Sequence, residues 1–275
     1  MSSNNNTIYL DKFYTNLDIV DKCHDAIKKH VDIDKNDLII EPSAGSGSFI
    51  NIIKKLSNNY KFYDIKPENN EIIKKDFLEL RIEDSKKTTT HIIGNPPFGI
   101  KSSQAIAFIK HATNILEAKS VSFILPISFK KSSQQKSFPP NYHLIHQITL
   151  PENSFTYFGV SKNIKTVFQI WVRKDKLRKI PKKLIPAPWY SFVKKEDSDI
   201  SIRRVGSNIG HVKIREDTDN INTHWFIKTK NIKNISELLI KLNSINYNKD
   251  NNVGALSISK QDIIKNYNRY KERGI

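Results

Sequence analysis

The residues best suited to chemistry are the tetrapeptide Asn95-Pro96-Pro97-Phe98. The Asn95 side chain and the Pro96 carbonyl each offer an acceptor, while two successive prolines hold the turn rigid and remove two backbone donors. Two acceptors directed at one planar NH2 group favour a more tetrahedral, more nucleophilic nitrogen, and Phe98 offers a face to a flat ring. Asn and Pro also form ordinary turns, so position must decide between a site and a simple connection.

The position of the tetrapeptide favours a site. It directly follows the apolar run from His91 to Gly94, which predicts a buried strand. Open α/β sheets bind their ligands at the carboxyl ends of strands. A helix is predicted next, over residues 104–116, as expected of the crossover to a further strand at residues 121–125. The tetrapeptide is therefore predicted to lie at the ligand-binding edge of a parallel sheet.

A glycine-containing turn lies upstream, between a predicted strand at residues 38–41 and a helical pattern at residues 48–56. Gly45 and Gly47 allow a ligand to approach the backbone near the helix N-terminus. Ile50 replaces the third glycine of the dinucleotide fingerprint, and no Gly-Lys-Ser/Thr loop occurs, which disfavours NAD and ATP. The next predicted strand ends at Asp64, where a carboxylate commonly holds ribose hydroxyls; a turn cap is an equal alternative.

In order and spacing, these segments resemble S-adenosylmethionine-dependent amino-methyltransferases, in particular the adenine-N6 group with an Asn-Pro-Pro-Phe/Tyr motif. The resemblance covers most of residues 11–175. It implies an α/β, Rossmann-like fold with a mostly parallel seven-stranded sheet and an antiparallel closing strand. It also implies S-adenosyl-L-methionine as cofactor and the N6 amine of adenine in nucleic acid as acceptor. DNA is favoured and RNA is the runner-up, while protein glutamine methylation and a non-catalytic binding subunit remain open.

The resemblance also assigns roles to residues. Catalytic roles fall to Asn95, Pro96, Pro97 and Phe98. Cofactor contacts are expected from Tyr14, Thr15, Glu41, Pro42, Ser43, Ala44, Gly45, Gly47, Asp64, Ile65, Asp76, Phe77 and Asn95. Phe98 and Phe155 are expected to pack on the base, with Tyr157 and Phe158 as substitutes. A core position for Phe155 is equally open.

Charge supports a polyanionic partner. Lys and Arg number 45 against 28 Asp and Glu, a formal charge of +17. Compositional drift toward Lys, Asn and Ile, as in an AT-rich genome, is the competing explanation. Candidate phosphate contacts are Lys130, Lys131, Arg203 and Arg204. The two lysines begin a polar segment over residues 130–142, which is interpreted as a mobile loop or a plain surface connection.

The remaining features set the organisation. We expect a flexible tail at residues 1–10, a catalytic domain at 11–175 and a small mixed C-terminal region at 176–275 for target recognition or interaction, as a homodimer or heterodimer. The single cysteine and scattered histidines predict no disulfide and no metal site, and no apolar run is long enough to span a membrane. An intracellular, cytoplasmic location fits, in host cytoplasm or virion if the source is viral.

Overall fold

A computed structural model describes residues 14–82, 88–157, 160–180, 182–247 and 256–271. The chain forms two compact units, residues 1–180 and 181–275. The predicted tail at residues 1–10 and the substitute Phe158 lie outside the described residues. Each unit has its own sheet and core, so the two are described separately.

The first unit contains ten described strands and four described α-helices. Its strands are β1 (Tyr14–Thr15), β2 (Leu38–Glu41), β3 (Asn59–Asp64), β4 (Ile73–Lys74), β5 (Thr90–Gly94), β6 (Ser120–Pro126), β7 (Tyr142–Thr149), β8 (Phe155–Tyr157), β9 (Val160–Lys162) and β10 (Thr166–Arg173). Its helices are α1 (Leu17–His30), α2 (Ile50–Leu56), α3 (Ser103–Lys110) and α4 (Ser132–Gln135), and a π-helical turn, His111–Ile115, extends α3. Short 3-10 turns occupy Phe77–Glu79, Ile100–Ser102 and Ile127–Lys130.

Seven of these strands form one sheet in the order β4-β3-β2-β5-β6-β10-β7. Strands β2 to β6 are paired in parallel, and β10 is antiparallel to both of its neighbours. The predicted mostly parallel seven-stranded sheet is thus confirmed. The antiparallel strand β10 lies between β6 and β7.

The sheet buries both of its faces. In β2, Ile40 belongs to a core with the α3 residues Phe108 and Ile109, while its neighbour Ile39 belongs to a second core with the α1 residue Ile27. Successive strand side chains point to opposite faces, so continuous apolar runs such as β2 and β5 serve both cores. This arrangement fixes the carboxyl ends of β2, β3 and β5 beside one another.

The segment over residues 130–142, expected as a mobile loop or a plain surface connection, is packed and hydrogen-bonded to the rest of the unit. Phe138 is fully buried and stacks on Trp171, with ring centroids 4.1 Å apart. Arg178 donates to the carbonyl oxygens of Gln135 and Phe138 at 2.9 and 2.8 Å, and to that of Tyr142 at 2.8 Å. One aromatic anchor and one arginine therefore fasten the segment, and neither is evident from its polar composition.

A buried polar chain connects the opposite, amino-terminal ends of the strands. His91 Nδ1 lies 2.7 Å from Ser120 Oγ, and His91 Nε2 lies 3.1 Å from Asp37 Oδ2. His91 is completely buried and Ser120 nearly so. The three residue types match a hydrolytic triad, but their burial within the sheet assigns them to packing.

The buried contacts of His91 predict that the stability of the fold depends on pH. Burial lowers the pKa of His91 below its ordinary value of 6.5, and the hydrogen bond with Asp37 only partly opposes this. The unfolded chain therefore binds the proton more readily, so the free energy of unfolding should decrease as pH falls below about 6.5. Urea unfolding at pH 7.5 and 5.5 measures it. His91→Gln should lose part of the difference between the two pH values; an unchanged difference would contradict the assignment.

The second unit is an antiparallel sheet with two helices. Its strands are β11 (Tyr190–Phe192), β12 (Ile200–Arg203), β13 (Val212–Ile214) and β14 (His224–Thr229), and its helices are α5 (Ile235–Asn243) and α6 (Lys260–Lys271). The strand order is β11-β14-β12-β13. Its core includes Trp189, Leu238 and Tyr267. The boundary follows Ile180, shortly after the contacts of Arg178, whereas the sequence suggests residue 175.

Candidate active site

One pocket opens at the carboxyl ends of β2, β3 and β5. It is lined by Tyr14, Thr15, Glu41, Pro42, Ser43, Ala44, Gly45, Ser46, Ser48, Phe49, Asp64, Ile65, Asp76, Phe77, Leu78, Asn95, Pro97, Gln104 and Phe108. Twelve of the thirteen residues expected to contact the cofactor are therefore brought together there, Gly47 being the exception. The parallel order of the strands accounts for this, since their carboxyl ends share one edge of the sheet.

Asp64 organises the glycine turn. Its Oδ2 accepts a hydrogen bond from Gly45 N at 2.8 Å, and its Oδ1 accepts one from Lys66 N at 2.7 Å. Gly45 has φ +53°, and a Cβ there would meet nothing nearer than the Tyr14 ring at 4.0 Å. The space in front of Gly45 is thus open to a ligand, and Asp64 faces the same pocket while it holds the turn.

Gly47 has a different role from the one expected. It does not line the pocket, and it adopts φ +95°. A Cβ on Gly47 would lie 2.6 Å from Ile50 Cδ1, inside the turn. Gly47 is therefore required by the backbone and by packing at the start of α2, behind the wall that Gly45 forms.

Asn95 is held from two sides. Its backbone carbonyl oxygen accepts a hydrogen bond from Ser43 Oγ at 3.1 Å, which links the segment after β5 to the glycine-containing segment. Its side-chain Nδ2 donates to Thr15 Oγ1 at 3.3 Å. The contact with Thr15 orients the side-chain amide so that Oδ1, rather than Nδ2, is directed away from Thr15.

Glu41 is a buried carboxyl on the pocket wall. It is 2 % exposed, and its Oε2 has no hydrogen-bond partner among the described residues. Burial, with a smaller contribution from the Asp64 charge, raises the pKa of Glu41 to about 8. A buried oxygen of this kind is costly unless a donor or a cation occupies the pocket. The wall is thus suited to a ligand that carries a cationic group.

Two further polar residues of the pocket, Tyr14 and Asp76, are held by hydrogen bonds. Tyr14 OH donates to Glu68 Oε2 at 2.7 Å, on the side of the glycine turn. Asp76 Oδ1 accepts a hydrogen bond from Leu78 N at 2.8 Å and so caps the 3-10 turn Phe77–Glu79. Ile65 and Leu78 are apolar side chains of the pocket lining, and both are partly exposed.

The structure places the other predicted residues outside the pocket wall. Pro96 is buried and Phe98 is half buried, and the Phe98 carbonyl accepts from Gln104 N and Ala105 N at the start of α3. Phe155 is 1 % exposed and belongs to the core that includes Ile39 and Phe49. Its burial in an apolar strand favours the core position over a contact with the base.

The basic residues lie on other surfaces. Lys130 Nζ donates to Thr149 Oγ1 at 2.8 Å, and Lys131 precedes α4. In the second unit, Arg203 Nε donates to Val205 O and Arg204 Nε donates to Asn222 O, both at 3.0 Å. These bonds orient the two guanidinium groups, and the residues themselves are not part of the pocket.

Sequence reasoning missed several residues that line the pocket. They are Ser46, Ser48, Phe49, Leu78, Gln104 and Phe108. Ser46 and Ser48 flank Gly47 and could have been included with the turn. Gln104 is the second residue of α3 and Leu78 follows Asp76 and Phe77, but no pattern marks either as a ligand contact.

The family comparison bears on this architecture. Residues 32–182, more than half of the chain, match the model of the EDM2 methyltransferase-like domain. The chain belongs to this family. The matched segment spans β2 to β10 of the EDM2 methyltransferase-like domain, including the glycine turn, Asp64, Asp76 and the tetrapeptide. The expectation of a methyltransferase fold is confirmed.

Solved structures show distant likenesses to the EDM2 methyltransferase-like domain. A provisionally assigned RNA methyltransferase from Pyrococcus horikoshii is 14% identical, with 63% of this chain and 92% of that chain covered and a TM-score of 0.48. A dimethyladenosine transferase from Plasmodium falciparum is 15% identical, covering 60% and 64%, with a TM-score of 0.42. A type I restriction-modification methyltransferase subunit from Streptococcus thermophilus is 16% identical, covering 93% and 57%, with a TM-score of 0.44. No curated protein matches the chain.

S-adenosylmethionine is the cofactor of this class of methyltransferase fold, and the pocket of the EDM2 methyltransferase-like domain fits it. The unsatisfied Glu41 Oε2 suits the ammonium of its methionine part, and Asp64 and Asp76 suit hydroxyl and amino donors. Within the described residues, no group of three or more His, Cys, Asp and Glu side chains is placed to hold a metal ion. No helix in those ranges is sufficiently long and apolar to cross a membrane.

Proposed function

We propose that this EDM2 methyltransferase-like domain transfers the methyl group of S-adenosylmethionine to the N6 amine of adenine in nucleic acid, with DNA favoured. The observation that carries the proposal is the position of Asn95, on the wall of a pocket that also contains Glu41, Asp64 and Asp76. An amide acceptor and the cofactor-holding carboxylates thereby share one cavity, as transfer to a planar amine requires.

The cofactor supplies an electrophilic methyl group on sulfonium. The chain supplies orientation. The Asn95 side-chain oxygen Oδ1 accepts one N–H of the adenine amine, while the bond from Nδ2 to Thr15 Oγ1 holds the side chain and the bond from Ser43 Oγ holds the backbone carbonyl. The Pro96 carbonyl is proposed as the second acceptor and Phe98 as the stacking face. Asp64 is proposed to hold the ribose and Asp76 and Phe77 the cofactor adenine.

A flat NH2 group of adenine needs this help because its lone pair is delocalised into the ring. An acceptor fixed at hydrogen-bond distance favours the tetrahedral nitrogen on which the new N–C bond forms. As that bond forms, the S–CH3 bond breaks and its electron pair stays on sulfur, and the methylated nitrogen then releases one proton to solvent. The reaction uses no covalent enzyme intermediate in this proposal. The contribution of the chain is alignment and a preorganised dipole, which commonly account for the largest part of rate enhancement.

A nucleic-acid partner is supported by the distribution of charge in the second unit. The Arg204 guanidinium lies 4.4 Å from the centroid of the Trp225 ring, and Lys260 Nζ lies 4.8 Å from the same centroid. Neither cation forms an ion pair with a carboxylate among the described residues, whereas Lys213, Arg215 and Lys228 do. Two cations on one indole ring suit a phosphate between or beside them. Arg203, Lys130 and Lys131 are proposed as further backbone contacts.

The proposal is tested with isotopically labelled cofactor. The full chain is incubated with random-sequence DNA or RNA and CD3-labelled S-adenosylmethionine, and the digested nucleosides are examined by mass spectrometry. Labelled N6-methyldeoxyadenosine is expected from DNA, and the yield from RNA decides the polymer. Label on cytosine, or on glutamine of an added protein extract, would overturn the assignment, as would tight cofactor binding with no labelled product.

A further inference from the structure

The turn directly after the tetrapeptide exposes one apolar side chain. Ile100 is 86% exposed, the largest fraction among the large hydrophobic residues that the structure describes. Other residues of this region are buried: Ser102 lies in the same turn, and Ile109 of α3 is part of the core. Lys101, next to Ile100, is also exposed. The tip of the turn therefore exposes an isoleucine next to a lysine, five positions after Asn95 in the sequence.

The backbone of this tip is held in an unfavourable conformation. Gly99 has φ +66°, Lys101 φ +52° and Ser102 φ +64°. Non-glycine residues rarely adopt positive φ because Cβ then approaches the following carbonyl oxygen. The turn is kept by hydrogen bonds from Ser102 N to Gly99 O at 3.1 Å, and from Gln104 N to Phe98 O at 3.2 Å.

Glycine is required at position 99 for two reasons. Its φ is positive, and a Cβ there would lie 2.7 Å from Gln104 Cγ. The tip is thus bent sharply against the first turn of α3, whose Gln104 lines the pocket. A relaxed connection from β5 to α3 would need none of these features. Strain of this kind concentrates where side chains must be aimed, so the exposure of Ile100 calls for a functional reason.

We propose that Ile100 is a wedge that enters the base stack of double-stranded nucleic acid and favours extrusion of the target adenine toward Asn95. This inference rests on the proposed function and deepens it, because it assigns base-paired nucleic acid as the substrate class. An adenine inside a duplex cannot bring its amine to Asn95, since the amine is paired and stacked. Apolar side chains that enter a base step unstack it and kink the duplex.

The neighbouring residues fit this role. Lys101 is placed to contact the phosphate beside the opened step, so that the apolar side chain and the cation act on adjacent parts of one strand. A rigid turn delivers the wedge at a fixed distance from Asn95, whereas a flexible loop would lose that register. Ile100 is a positioning residue, since it contacts the stack that the adenine leaves and not the reacting atoms.

Ile100→Ala tests the wedge, because the side chain is exposed and its removal leaves the core intact. Methyl transfer by the full chain is compared on one random-sequence oligonucleotide pool in three forms: single-stranded, fully paired, and paired with a complement that carries abasic sites opposite the adenines. The variant is expected to be about tenfold or more slower on the paired form, and close to wild type on the other two. Ile100→Leu keeps the apolar bulk and should retain most activity on all three.

Ile240→Ala is the matched control, because Ile240 is 72% exposed on α5 in the second unit. It should leave all three rates unchanged. An equal loss on paired and unpaired pools, or no loss on either, would overturn the wedge. A loss by Ile100→Leu as large as that by Ile100→Ala would also overturn it, since apolar bulk would then not be the property that matters.

A second readout separates this inference from the proposed function. Duplexes in which 2-aminopurine replaces adenine become more fluorescent when the base leaves the stack. The wild-type chain should increase this fluorescence, and Ile100→Ala should lose most of the increase. If no labelled methyl reaches any nucleic acid but the fluorescence responds in this way, the proposed function fails and the wedge stands. If methylation occurs on paired DNA without any Ile100-dependent fluorescence, the wedge fails and the proposed function stands.

Discussion

Replacing Asn95 with alanine is expected to lower the rate of methyl transfer about 10²- to 10³-fold, the usual cost of removing one preorganised hydrogen-bonding group from a reacting centre. The affinity for S-adenosylmethionine should change little, because Glu41, Asp64 and the glycine turn remain in place. Single-turnover rates measure the first quantity, and calorimetric titration of the cofactor measures the second. The combination of slow chemistry with intact binding is the signature of an orienting group.

Asn58→Ala is the control for this experiment. Asn58 is exposed just before β3, whose carboxyl end borders the pocket, and its backbone N–H donates to Lys35 O in a bond that the substitution retains. The control should transfer methyl at the wild-type rate. An Asn95→Ala protein that keeps a rate within about threefold of wild type would remove Asn95 from the mechanism, since a group worth one hydrogen bond to the transition state should cost more.

Cofactor binding is expected to tighten as pH rises toward 8, and the reason is Glu41. Burial raises the pKa of this carboxyl to about 8, so it is largely protonated at pH 7 in the free protein. A cationic ammonium beside the carboxyl favours its charged form, so binding should release a proton below about pH 8. The dissociation constant should fall as pH rises from 6 to 8, by at most tenfold per pH unit, and level off above.

Glu41→Gln should weaken binding about 10- to 100-fold, as expected for loss of one hydrogen bond to a charged group. It should also abolish both the pH dependence and the proton release, which calorimetry in buffers of different ionisation enthalpy measures directly. Glu79→Gln, an exposed carboxyl beyond the pocket, is the control and should keep the wild-type profile. A Glu41→Gln protein with the full pH dependence would assign the titration to another group.

The sequence predicts the sheet and the pocket because both follow from short local patterns. Continuous apolar runs mark β2, β5 and β6, and the residues that end those strands must meet at one edge. For the same reason, Asp64 and Asn95 fall on the pocket wall although 31 residues separate them in sequence.

Features that depend on long-range packing are not predictable from local pattern. Phe155 follows a turn and resembles a base-stacking residue, yet β8 pairs with β1 and buries its ring in the core. Phe138 lies in a polar segment, but its ring packs on Trp171 in β10. The positive φ of Lys101 and Ser102 has no sequence signal, because neither residue type favours that region. Propensity gives way to tertiary contacts in each case.

The most direct measurement is a crystal structure of the full chain with sinefungin, a non-reactive cofactor analogue, and an adenine-containing oligonucleotide. The adenine N6 should lie about 2.7–3.2 Å from Asn95 Oδ1. It should lie roughly 3–3.5 Å from the sinefungin amine that takes the place of the transferable methyl. The α-ammonium group of sinefungin, which corresponds to that of the methionine part of the cofactor, should contact Glu41. An adenine bound elsewhere, or Asn95 directed at the cofactor with no base beside it, would contradict the account.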